Sequence, residues 1–166
     1  MPAKGYDMAK QVKKEFIAEQ YALSELTEKE QELVQAAKAA TKNAYAPYSN
    51  FHVGAAALLD DEQIVIGNNQ ENAAYPSGLC AERVAIFHVG ANYPEKKVLQ
   101  MAIVARPADK DFIEAYPCGG CRQVLLEYQN KQKTPIELLM VQPNDQILKV
   151  NADQLLPFGF DGSALP

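Results

Sequence analysis

The stretch FHVGAAALL, Phe51 to Leu59, is apolar almost without interruption. A strand with one wet face alternates apolar and polar side chains, whereas a run like this one needs cover on both faces. The chain must therefore build a sheet with layers above and below it. The polar DDEQ and the apolar IVIG, ending at Gly67, predict a second strand joined to the first by a tight acidic turn.

The remaining segments supply those layers. Thr27 and Glu30 form a capping-box pair, and Leu33, Val34, Ala36, Ala37, Ala40 and Ala44 recur at helical spacing, which predicts a helix from about 28 to 43. Pro47 in AYAPYSN disfavours helix at Ala46 and closes it. Downstream, LCAERVAIFHVG reads as a helix ended by Gly90, and VLQMAIVA (98–105) reads as a strand. CGGCRQVLLEYQN starts a helix at or just after its cysteines, and IELLMV (136–141) and QILKV (146–150) are strands. The order α, β, β, α, β, α, β, β predicts a three-layer α/β/α fold around a mixed five-stranded sheet.

Residues 1–26 are polar and weakly periodic and read as an N-terminal arm, partly extended or helical, lying on the surface or on a neighbouring subunit. Residues 27–166 read as one domain. A chain of 166 residues, 48% hydrophobic, has the size to bury about 70% of its extended-chain surface. A net charge of −5 without a basic stripe argues against a nucleic-acid polymer as ligand, and Lys10, Lys13 and Lys14 read as a solvated face or tail. The N-terminal segment lacks an apolar block of signal-peptide type, and nowhere do about 18 apolar residues run together, so no membrane association is expected. Three cysteines, an odd and low count, fit a reducing, cytoplasmic compartment in which thiolates serve as metal ligands or nucleophiles.

Cys118 and Cys121 stand three apart at a helix start, so both sulfurs lie on one side near the positive end of the helix dipole, where thiolate is favoured. Cys80 also stands where a helix begins, after the Pro76, Ser77 and Gly78 turn. If the two helices follow parallel strands, their N-termini lie side by side at the strands' C-terminal edge, where open α/β sheets place their chemistry. Three thiolates around zinc leave a fourth tetrahedral position to be explained: held open by water it marks a catalytic site, filled by protein a structural one. His88 is eight residues, roughly 12 Å, along its helix from Cys80, too far to share a metal with it, and His52 reads as a core or surface histidine.

Glu82, two residues beyond Cys80, shares a pocket with the sulfurs only if the metal sits above the helix end, where the first turn is approached axially. In that placement it is a carboxylate poised for general acid–base work. Arg83 and Arg122, each next to one of these residues, are candidates to offset thiolate charge.

At CAERVA and PCGGCRQVL the chain resembles the small, three-cysteine, homotetrameric cytidine deaminases. The likeness runs from about Tyr45 to Phe160 and includes YAPYSNFHVGAAAL, NQENAAYP and LLPFGF. It implies a Zn2+ ion on Cys80, Cys118 and Cys121, and Glu82 as the proton carrier. It also implies hydrolytic deamination of cytidine and 2′-deoxycytidine to the uridines, in pyrimidine salvage. By the same resemblance Asn69 and Glu71 hold the ribose hydroxyls, and Phe51 packs on the pyrimidine. Ala81 offers its N–H to the base, Arg83 binds cysteine sulfur, and Phe160 enters the site of an adjacent subunit. The chain departs from the family at Tyr116, where Ser or Thr is usual before PCGxC, and at Val84, where Thr is common after CAER.

Three other readings stand beside this one. A thiol–disulfide oxidoreductase uses C-G-x-C but leaves Cys80 and CAER without a purpose. A zinc-stabilised binding protein would fill the metal shell with protein. A deaminase of another cytosine nucleoside would lack Arg83, Asn69 and Glu71.

Overall fold

The computed structural model describes residues 9–165; the first eight residues of the expected arm lie outside the described residues. In chain order the elements are β1 (Glu19–Ala22), α1 (Glu28–Ala40), β2 (Phe51–Leu59), β3 (Ile64–Asn68), α2 (Ala81–Asn92), β4 (Val98–Pro107), α3 (Gly119–Gln132), β5 (Glu137–Gln142) and β6 (Gln146–Asn151). The sheet order is β1-β6-β5-β4-β2-β3. Among the described strands, only β4 and β5 pair in parallel.

The sheet has six strands, not the expected five. The extra one, β1, is four residues of EQYA cut from the arm, paired antiparallel with β6 from Glu19 opposite Lys149 to Ala22 opposite Gln146. An edge strand this short is held by its main chain, and its side chains carry no period to read. Among the described residues, the part of the arm before it, 9–18, contains no helix. Two boundaries also differ from expectation. The first helix ends at Ala40 and passes into a 3-10 turn, Thr41–Asn43. The second runs past Gly90 to Asn92. Gly90 does not stop α2: a side chain there would collide with the Tyr128 hydroxyl on α3, so the glycine serves the contact between the two helices.

The apolar run does need both layers. Ala55, Ala57 and Leu59 face a core completed by Ala85, Ile86 and Val89 of α2 and Leu125 of α3, while Ala56 and Leu58 face Leu33, Val34 and Ala37 of α1. Small residues bring the helices close. A Cβ on Gly54 would strike the Ala37 carbonyl of α1, and one on Gly67 would lie 2.5 Å from the Ala85 nitrogen and 2.6 Å from the Ala81 carbonyl of α2. Since Gly67 pairs with Ala55, next to Gly54, the sheet is pinched from both sides at one place.

β2 runs antiparallel to both β3 and β4, so those two point the same way with β2 between them. The helices that follow them, α2 and α3, therefore start at the same edge of the sheet. The sequence expectation required parallel strands, and this arrangement meets it without requiring them to be neighbours.

At the opposite face, Thr27 caps α1 as expected: the Glu30 N–H donates to Thr27 Oγ1 at 3.3 Å and the Thr27 N–H donates to Glu30 Oε2 at 3.0 Å. Glu30 Oε1 also accepts from Lys149 Nζ at 2.7 Å and from Gln100 Nε2 at 2.9 Å. Burial alone would push this carboxyl up, but Lys149, the Thr27 N–H and hydroxyl, and Gln100 outweigh it and hold it at about 2. Its contribution to stability is full above the unfolded value near 4.5 and is lost as pH falls toward 2. Glu30→Gln is expected to cost on the order of 2 kcal/mol at neutral pH, with the gap to the parent closing below about pH 4 in urea denaturation. Gly67→Ala is expected to lower the melting temperature, because its Cβ would push α2 off the sheet; an unchanged melting temperature would show that α2 has room to move.

Candidate metal centre and active site

Cys80 and Cys118 occupy the N-cap positions of α2 and α3, and neither makes a side-chain capping bond. Cys121 is the third residue of α3 and is fully buried. Their sulfurs converge: Cys80 to Cys118 is 3.8 Å, Cys118 to Cys121 is 3.5 Å, and all three lie within 4.8 Å of one another. Zinc–sulfur bonds of about 2.3 Å in a tetrahedron set sulfurs about 3.8 Å apart, so the donor set fits this ion in both chemistry and spacing. All three thiols are free.

The first turns of two helices point their unpaired N–H groups at this cluster. The Cys80 thiol is drawn well below its ordinary range, chiefly by the hydrogen bond with Cys121 and also by Arg83; the same contact with Cys80, together with burial, pushes Cys121 up. Arg83 Nη2 lies 3.9 Å from Cys80 Sγ and donates to the Gly78 carbonyl at 3.4 Å. Arg122 does not face the sulfurs. Its Nε donates to the Pro117 carbonyl at 2.8 Å and its Nη1 to the Leu155 carbonyl at 3.0 Å, so it braces the turn before Cys118.

A cavity of about 640 Å3 opens beside the cluster, and its lining includes Cys80, Cys118, Glu82, Arg83, Asn69 and Glu71. Glu82 is the second residue of α2 and only 4% exposed. Burial raises its carboxyl to about 6, with the nearby Cys80 adding to the rise. Two cysteines stand at the helix caps and Glu82 in the first turn, so an ion held above the helix ends would share a pocket with this carboxyl.

Asn69 follows β3 and reaches across to β2. Its Oδ1 accepts from the Val53 N–H at 2.8 Å and its Nδ2 donates to the Phe51 carbonyl at 2.9 Å. One N–H and one lone pair remain free of these two bonds. Glu71 Oε2 accepts from the Tyr48 N–H at 2.9 Å and the Ser49 N–H at 3.3 Å, while Oε1 accepts from the Ser49 hydroxyl. These bonds, the Ser49 hydroxyl first, hold Glu71 below the usual carboxylate range. They also fix YAPYSN over the cavity.

Phe51 lines the cavity; Ala81 is buried as the first residue of α2 and does not. Phe160 is 63% exposed and lies outside its own chain's cavity, with its carbonyl accepting from Gln123 Nε2 at 2.8 Å. His52 and His88 are not part of the sulfur cluster. Sequence reasoning missed Tyr48, Tyr75, Ile103 and Tyr116, all of which line the cavity. Tyr48 and Tyr75 lie inside the quoted motifs YAPYSN and NQENAAYP, a signal that pointed to them without giving them a role. Cys118→Ala is expected to abolish stoichiometric zinc while leaving α3 in place, since that thiol makes no capping bond; elemental analysis and circular dichroism check the two halves.

Residues 27–136 match the pattern described as the cytidine and deoxycytidylate deaminase zinc-binding region. The chain is 38% identical over 137 residues to a cytidine deaminase of Halalkalibacterium halodurans, covering 78% of this chain and 92% of that one. It is 39% identical over 130 residues to a cytidine deaminase of Mycobacterium tuberculosis, covering 76% and 86%. Among solved structures, the cytidine deaminase of Burkholderia pseudomallei superposes with a TM-score of 0.68 at 37% identity, covering 81% of this chain and 100% of that one.

Proposed function

The chain belongs to the cytidine and deoxycytidylate deaminase family, and from that premise we infer that it is a zinc hydrolase converting cytidine and water to uridine and ammonia. The observation that carries this reading is the convergence of three thiols, from the starts of two helices, with a buried carboxyl on the wall of the same cavity. We assign Cys80, Cys118 and Cys121 to hold the ion, which when bound supplies the acidity that makes water a nucleophile at neutral pH.

Glu82 moves the protons. It takes one from the attacking water and gives it to ring nitrogen N3, while the water oxygen bonds to C4 and the C4–N3 π pair settles on N3. It then carries the remaining hydroxyl proton to the exocyclic amine; the C4–N bond breaks, ammonia leaves, and C4 becomes a carbonyl. A carboxyl held near 6 by burial gives and takes protons readily around neutrality, as this sequence of transfers requires. Arg83 offsets thiolate charge at Cys80; although the Ala81 side chain is buried away from the cavity, its N–H has no acceptor inside its own helix, and we assign this main-chain donor to the base.

Phe51 forms an apolar wall for the ring, and the unspent hydrogen-bonding positions of Asn69 and Glu71 take the sugar hydroxyls. We assign 2′-deoxycytidine as a second substrate on this basis, since it keeps the 3′-hydroxyl. Residues 27–166 form the catalytic domain and residues 1–26 an appended arm. The enzyme is a cytoplasmic homotetramer with shared sites: Phe160 is exposed and does not line its own cavity, and Tyr48 and Tyr75 at the cavity stand exposed as well, so a second copy would bring these rings together.

The test is direct. Glu82→Gln should keep its zinc and lose at least about a hundredfold in kcat, followed by ammonia release from cytidine. Retention of more than about a tenth of the activity would contradict the proton-carrying role.

A further inference from the structure

The C-terminal segment is held against α3 by residues that follow the last metal ligand. Arg122 Nη1 donates to the Leu155 carbonyl at 3.0 Å and Gln123 Nε2 donates to the Phe160 carbonyl at 2.8 Å. Leu126, one turn beyond Gln123 on the same face, touches the segment between these two bonds: a Cβ on Gly159 would collide with its Cδ2. Phe158 is folded into the left-handed region, at φ 59°, which an aromatic residue keeps only where its surroundings enforce it. From the other side the Ile17 N–H donates to Gln154 Oε1 at 3.1 Å, and Lys14 Nζ lies 4.3 Å from the centre of the Phe158 ring. The segment is therefore a hook held at several points, and it leaves the Phe160 ring exposed.

We propose that Gln123 is a positioning residue for the deamination reaction: its side-chain N–H fixes the backbone at Phe160 and so sets where that ring is presented to the cavity of a second copy. This rests on the reading that Phe160 acts in a neighbour's site. Arg122 joins the same hook to the turn before Cys118, but it also holds the Pro117 carbonyl, so its removal would disturb the metal end. Gln123 makes no such contact with that turn, and it isolates the effect on the hook. A residue that only orients a binding group contributes equally to ground and transition states, so its loss raises KM and spares kcat.

Gln123→Glu keeps the size of the side chain and removes the donor; Gln123→Ala removes both. Steady-state kinetics with cytidine on zinc-loaded, assembled enzyme should show KM raised about three- to tenfold in both variants, with kcat within about twofold of the parent. Phe160→Ala should raise KM at least as much, and the double variant Gln123→Glu/Phe160→Ala should be no worse than Phe160→Ala alone, because the two act through one ring. A normal KM for Gln123→Glu beside a raised KM for Phe160→Ala would overturn the proposal and leave the role of Phe160 standing. A normal KM for Phe160→Ala would overturn both. Additive effects in the double variant, or loss of zinc or of assembly in Gln123→Glu, would assign Gln123 to stability and overturn the positioning role.

Discussion

Two helices can aim their first turns at one point only when the strands feeding them run the same way and end at the same edge. Here β2 sits between β3 and β4 and runs antiparallel to both, which gives α2 and α3 a common starting line one strand apart. Gly67 then lets α2 settle directly on β3, with no side chain to hold it off. The distances among Cys80, Cys118 and Cys121 follow from this framework: two of the sulfurs are cap residues, so their separation reports where the helices begin. Everything else at the site is arranged around that pair of helix ends.

The framework also answers an electrostatic problem. Three thiolates around a divalent cation leave a net charge of −1, and a carboxylate beside them adds another. Partial positive charge from two helix N-termini, each worth roughly half a unit, and the Arg83 guanidinium at Cys80 act against it. Glu82 is left with burial as the dominant influence on its proton. Arg122, the other cation of the motif, is committed to two backbone carbonyls, which makes it a mechanical link between the metal turn and the C-terminal segment.

The parts of this architecture that depend on local periodicity and helix ends could be read from the residues alone. The run Phe51–Leu59 announced two covering layers because a strand's neighbours above and below dictate its alternation. The three cysteines announced a shared site because each stands at a helix start. What could not be read depends on long-range contact. β1 is invisible because its partner supplies the main-chain bonds and, of its four residues, Tyr21 packs on the core while Glu19 and Gln20 are exposed, too short a pattern to show a period. Gly90 looks like a helix stop in sequence, yet its reason for being glycine is a tyrosine 38 positions away. Arg122 sits beside a ligand in sequence and turns from the sulfurs in space, since the direction of a long side chain is set by whichever carbonyls come within reach. Tyr116, noted only as a departure from a family pattern, lines the cavity.

The sulfur-bearing segments lie 38 residues apart along the chain, from Cys80 to Cys118, with β4 of the sheet between them. An ion shared by both segments is then also a staple across that loop, denying the unfolded chain the freedom it would otherwise regain. Chelators should therefore shorten the lifetime of the fold along with ending the chemistry, and the supply of metal in a cell would govern how much of this protein persists as well as how fast it works.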